Sequence, residues 1–144
     1  MNIEVIGIDH IYIAVSNMSI SEAYYDKVMP ILGFRKNQFV NESEPHLQYY
    51  NRHFGFVLRP AQGGPSFAGT LTPGLHHLCF RVEGIAELAS VADQFRAAGI
   101  ACPDPEHFPE YAPDYHAIFF NDPDGIRLEL TNYREERRRR YAEW

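Results

Sequence analysis

Three side chains, His10, His77 and Glu129, stand where their types and spacing could do chemistry. Gly7-Ile8-Asp9-His10-Ile11 and Gly74-Leu75-His76-His77-Leu78 share one pattern, and each runs on as an alternating strand, Ile11 to Val15 and Leu78 to Val82. Each strand leads into a helical stretch closed by a glycine, Gly33 or Gly99, at nearly the same distance from its histidine. The histidines therefore occupy matching places in a duplicated unit. Glu129 lies in Ile126-Arg127-Leu128-Glu129-Leu130, a strand whose leucines face the other way. A carboxylate on the inner face of a curled sheet is costly to desolvate unless it meets a cation or strong donors. Two imidazoles and one carboxylate form a facial set for Fe(II), Mn(II), Zn(II), Ni(II) or Co(II), with positions left for substrate. The alternative is structural: capped core histidines, with Glu129 paired to an arginine such as Arg81.

The elements that must position these residues can be followed along the chain. The first helix is expected to start near Ser19 or Ser21, to be kinked or shortened by Pro30, and to stop at Gly33. Strands are expected over Phe34 to Asn41, His46 to Tyr50 and Phe54 to Arg59, with Asn51-Arg52-His53 as a tight turn. In the second half, the helix covers Ile85 to Ala98. Strands follow over Ile100 to Cys102, Tyr115 to Asn121 and Ile126 to Asn132, the last two joined by the turn Asn121-Asp122-Pro123-Asp124-Gly125. Each half thus reads strand–helix–strand–strand–strand. The first module spans 6–60 and the second 74–133, joined by the Gly- and Pro-rich stretch from Ala61 to Gly74. Four prolines between Pro103 and Pro113 predict a long loop near a functional mouth. The tail, 134–144, reads as a charged solvated helix carrying Arg137 to Arg140, with anion binding or subunit contact as the other reading.

Other residues have weaker claims. His116 is a candidate general acid/base, although alternation allows either Tyr115 with Phe119 or His116 with Phe120 to face the pocket. Tyr12, Tyr49 and Phe119 are candidate substrate-binding walls, and Arg59 a partner for an anionic substrate group. His76 should face away from His77 by strand alternation. Cys79 shares the face of His77 and is expected as a small buried residue. His46, His53 and His107 look like loop or strand-edge residues.

Composition narrows the class. Hydrophobic residues make up 45% and charged residues 22%, ordinary for a soluble globular chain. A net charge of −6 argues against nucleic acid as a partner. No apolar run is long enough to span a membrane, and Met1 to Val5 lacks the basic start of a signal peptide. Cys79 and Cys102 are expected as reduced thiols, with the cytoplasm as the compartment.

The whole pattern resembles the vicinal oxygen chelate superfamily of glyoxalases, bleomycin-resistance proteins and extradiol dioxygenases. Gly7 to Val15 is similar to the opening strand of those proteins. Tyr24-Tyr25-Asp26-Lys27-Val28 through Leu32-Gly33-Phe34 is similar to their first helix and the turn after it. Phe119-Phe120-Asn121-Asp122-Pro123-Asp124-Gly125-Ile126-Arg127-Leu128-Glu129-Leu130 resembles their closing hairpin. The resemblance implies an α+β, glyoxalase-like fold: two βαβββ modules forming curled mixed sheets around a metal cleft. It implies a divalent metal on His10, His77 and Glu129, with Glu129 also catalytic.

This chain departs from several branches. Glyoxalase I usually takes a further ligand, often glutamate, from the last strand of the first module, and Phe54 to Arg59 offers no carboxylate. Extradiol dioxygenases place a tyrosine ten positions before the ligand glutamate, where this chain has Phe119. Tyr12 replaces the threonine common in fosfomycin-resistance enzymes. Bleomycin-binding members lack a metal site. The resemblance therefore points to a metal-dependent lyase- or isomerase-like enzyme that chelates vicinal oxygens of a small substrate. A dioxygenase and a metal-free ligand-sequestering protein are the alternatives. A homodimer is expected.

Overall fold

The computed structural model describes residues 1–63 and 69–144. The chain divides into two compact units, Met1–Ser66 and Phe67–Trp144. In the first, β1 (His10–Val15), α1 (Met18–Ile31), β2 (Arg35–Asn41), β3 (Glu44–Tyr50) and β4 (Gly55–Pro60) follow in order. Their four-stranded sheet is ordered β1-β4-β3-β2, with β1 parallel to β4 and the other pairs antiparallel. The second unit contains β5 (Leu78–Val82), α2 (Ile85–Ala97), β6 (Glu106–His107), β7 (His116–Asn121), β8 (Arg127–Asn132) and α3 (Glu135–Glu143). Its sheet repeats the same order as β5-β8-β7-β6, again with only the first pair parallel. Two mixed sheets, each with one helix laid across it, are the glyoxalase-like α+β arrangement.

In both units one sheet face is buried by the helix. Alternation along β1, β3 and β4 turns Ile13, Val15, Tyr49, Phe56 and Leu58 toward Tyr25, Val28 and Met29 of α1. In the second unit Ile118, Phe120, Leu128 and Leu130 meet Leu88, Val91, Ala92 and Phe95 of α2. Phe95 and Phe120 pack edge to face, with ring centroids 5.2 Å apart. The opposite face of each sheet lines a cleft.

Local chemistry explains the element ends, and several expectations are corrected. The α1 cap is Asn17, whose Oδ1 accepts the Ile20 backbone N–H at 3.0 Å; Ser19 and Ser21 lie inside the first turn. Pro30 is accommodated one residue before the helix end, where little helix remains to be broken. Gly33 (φ +82°) and Gly99 (φ +78°) take the left-handed conformation that lets Phe34 and Ile100 bond back to Met29 and Phe95. Glu42 and Ser43, both with positive φ, make the β2–β3 hairpin turn without a glycine. No strand forms over Ile100 to Cys102. The second strand of that module is the two-residue β6 inside the proline-rich stretch, held to β7 by Glu106↔Ala117 and His107↔His116. A proline-flanked segment supports only a short edge strand.

Both cysteines are free. Helix α3 buries none of its side chains, but Arg138 pairs with Glu83 at 2.5 Å and lies 4.0 Å over the Tyr133 ring. Among the described residues no helix is long and apolar enough to cross a membrane.

Candidate functional site

Glu129 occupies the middle of the helix-free face of the second sheet. Its register partners are Cys79 on β5 and Phe119 on β7. The carboxylate is 2% exposed, and both oxygens are engaged. Oε1 accepts the Tyr115 hydroxyl at 2.5 Å, and Oε2 lies 3.0 Å from His77 Nε2. Tyr115 is itself supported. The guanidinium of buried Arg134 lies 4.4 Å from its ring centroid, and Arg134 donates to Glu136 and Thr131. Burial, and then the hydrogen bond to Glu129, push the Tyr115 phenol above its usual range, so it remains a neutral donor.

His77 Nδ1 is 2.8 Å from His76 Nδ1, so one ring donates and the other accepts. His76 was expected to face away. The strand begins only at Leu78, so alternation does not govern His76 and His77, and both line the same cleft. That cleft, of about 490 Å³, is lined by His76, His77, Tyr111, Tyr115, Phe119, Arg127 and Glu129. The proline-rich loop supplies part of its wall: Phe108 packs on Phe119 and Tyr111, and Tyr111 packs on Tyr115.

Cys79 is open to solvent rather than a buried residue. Its sulfur is nevertheless crowded by protein beside Glu129. Desolvation, and then that carboxylate, push the thiol up to about 12.

The catalytic role expected of His116 finds no support in this geometry. Parity along β7 puts Tyr115 and Phe119 on the cleft face and His116 on the other. There His116 Nδ1 meets the Asp114 carbonyl at 3.1 Å and the ring stacks on His107 with centroids 4.5 Å apart. Arg81 lies 4.0 Å over the Tyr133 ring rather than pairing with Glu129.

In the first unit His10 opens β1, with its Nδ1 2.6 Å from Asp9 Oδ1. That contact favours a proton on Nδ1 and a free lone pair on Nε2, the tautomer a metal ligand needs. His10 and Tyr12 line a second cleft, of about 390 Å³, with Asp9, Phe39, Gln48 and Gly55 among its other residues. His46 is no strand-edge residue: it is 1% exposed, stacked on Phe39 and met edge-on by Tyr12.

Two substrate-binding expectations are corrected. Tyr49 is 1% exposed on the helix-facing side, and its hydroxyl donates to Asp26 at 2.8 Å. Arg59 lies at the far end of β4, 3.6 Å from Glu42, and does not line the cleft. Tyr12 and Phe119 each line a cleft of their own unit.

The duplication shows where the two halves differ. His10 pairs with Gly55, so Val57 stands two residues beyond its partner. In the second unit Leu78 pairs with Leu128, so the preceding His77 aligns with Arg127, and Glu129 stands two residues beyond that. Val57 therefore occupies the counterpart of Glu129, and the first unit has no matching carboxylate. Among the described residues no group of three or more His, Cys, Asp or Glu side chains is gathered to hold a metal ion. The donor set that the structure does bring together is the pair His77 and Glu129.

A profile of the Glyoxalase/Bleomycin resistance protein/Dioxygenase superfamily matches residues 7–130. The chain belongs to that superfamily. No curated protein matches it, but solved structures share its fold. A glyoxylase/bleomycin resistance protein/dioxygenase domain from Frankia sp. EAN1pec is 23% identical, with a TM-score of 0.73 over 91% of this chain and 100% of its own. The fosfomycin resistance protein FosX from Listeria monocytogenes, in complex with Mn(II) and sulfate, is 16% identical, with a TM-score of 0.61 over 94% and 98%. Lactoylglutathione lyase from Agrobacterium tumefaciens is 15% identical, with a TM-score of 0.60 over 92% and 96%.

Proposed function

We propose that this superfamily member is a metal-dependent enzyme with lyase- or isomerase-like chemistry, its divalent ion held by His77 and Glu129 together with His10. The observation that carries this reading is the 3.0 Å separation of His77 Nε2 and Glu129 Oε2. Two donor atoms this close could be held by one shared ion. The atoms facing each other are an imidazole nitrogen and a carboxylate oxygen, a donor pair that suits Zn, Ni, Mn, Fe or Co. The Mn(II) in the Listeria FosX structure supports the same class of ion.

The remaining residues act by holding these donors still. Tyr115 fixes one oxygen of Glu129 and leaves the other to the site. Without an ion His77 Nε2 is the donor that meets Glu129 Oε2; with an ion bound, His76 accepting from His77 Nδ1 would leave the Nε2 lone pair to the metal. The tyrosine and phenylalanine walls exclude water and strengthen every charge interaction within the cleft. A bound ion would supply Lewis acidity to two adjacent oxygens of a small substrate.

The test is elemental analysis of the purified full chain, followed by a substrate screen under air and under nitrogen. Near-stoichiometric metal and oxygen-independent turnover are expected. Strict oxygen dependence would move the protein to the dioxygenase branch. Ligand binding by a protein that takes up no metal would make it a sequestering module.

A further inference from the structure

We propose that the second unit's cleft takes a small, mostly apolar carboxylic acid, with the Arg127 guanidinium as the anchor for its carboxylate. The inference deepens the reading of this cleft as the substrate site and rests on it. Arg127 stands on β8 two residues before Glu129 and lines the same cleft. Its Cζ lies 4.4 Å from the Phe119 ring centroid, a contact that holds the guanidinium in place. Its Nε is shielded from solvent and has no hydrogen-bond partner among the described residues.

The other buried or half-buried arginines of this unit have acidic partners. Arg134 and Arg138 each meet a carboxylate, whereas no ion pair reaches Arg127 among the described residues. Glu129, the one carboxylate in the lining, is already engaged by Tyr115 and His77. A guanidinium N–H kept from water without an acceptor is unfavourable, and an incoming oxyanion relieves it.

Three features narrow the ligand. The guanidinium fork matches the two coplanar oxygens of a carboxylate. Glu129 in the same lining disfavours a dianion, so a single negative charge fits better. Tyr111, Tyr115 and Phe119 offer apolar surface, and about 490 Å³ suits a small body.

The experiment is calorimetric titration of the full chain with benzoate, benzamide and phenylphosphonate, with metal content measured on the same samples. Wild-type protein should bind benzoate about tenfold or more tightly than benzamide, and more tightly than phenylphosphonate. Arg127→Met should weaken benzoate binding by about tenfold or more, and Arg127→Lys by about threefold or more because the fork is lost. If Arg127→Met does not fold, judged by circular dichroism, Arg127→Lys carries the test. The proposal is overturned if benzoate does not bind, if benzamide or phenylphosphonate binds equally well or better, or if the folded variants retain wild-type affinity. Metal uptake without benzoate binding sinks this inference alone. Benzoate binding to a protein that takes up no metal sinks the metal-enzyme reading alone.

Discussion

Replacing Tyr115 by phenylalanine deletes one oxygen at the centre of the second unit's cleft. The ring can stay on its Arg134 support, so the change isolates the hydrogen bond to Glu129. That carboxylate is 2% exposed and has two polar partners in the cleft, Tyr115 and His77. Hydrogen bonds to charged groups contribute about 1.5–3 kcal/mol, and a buried carboxylate stripped of one partner belongs in that range, so the expected loss is about 2 kcal/mol. For a chain of this size each kcal/mol moves Tm by roughly 2–4 °C, which gives a fall of about 4–8 °C. Equilibrium urea unfolding of the metal-free protein at neutral pH reads the effect. Tyr111→Phe is the control, because Tyr111 is 62% exposed and should stay within about 0.5 kcal/mol. A Tyr115→Phe loss no greater than the control would refute the reasoning, since Glu129 would then be satisfied without the phenol.

Three further outcomes are expected. His77→Ala and Glu129→Ala should each abolish tight metal binding while leaving the far-ultraviolet circular dichroism unchanged; full metal occupancy in either variant would end the assignment. Cys79, with its thiol pushed up to about 12, should react with iodoacetamide at pH 8 on the order of a hundredfold or more slowly than an ordinary thiol. Its folded-state value lies above the unfolded value of about 8.5. Its stabilising contribution is therefore complete below that pH and is lost as pH rises toward about 12, a dependence that Cys79→Ser should flatten in pH-resolved unfolding. Light scattering should show a homodimer. If sites are shared between subunits, mixing His10→Ala with Glu129→Ala should restore one metal site in each mixed dimer, about half of all dimers after random exchange; absence of recovery argues for sites completed within one chain.

Much of the fold was legible in the sequence because duplication repeats the signals. Two histidine-led strands and two glycine-closed helices announce one unit twice, and Gly33 and Gly99 do the same backbone work. What escaped was mostly strand parity. A one-residue change of phase exchanges the two faces of a sheet, and the sequence alone does not fix that phase. Alternation in the sequence therefore allows Tyr49 to face the pocket although its side chain reaches Asp26 under α1, and it does not separate Tyr115 from His116. His76 escaped for the opposite reason, because alternation ends with β5 at Leu78 and does not reach it. Arg127 and Arg134 carried no signal: an arginine beside a hairpin and another before a basic tail are ordinary, and only the packed structure shows Phe119 and Tyr115 against them.

The valine at position 57 changes what later mutation can reach. Val57 holds the place that matches Glu129, 2% exposed on the strand that corresponds to β8. Some valine and glutamate codons differ by a single base, so a second carboxylate lies one point mutation away. That step is barred by folding before it is barred by chemistry, because an unpaired glutamate at a buried position destabilises the unit unless a cation is there to meet it. Ion supply in the cell, rather than the genetic code, would then decide whether such a variant survives.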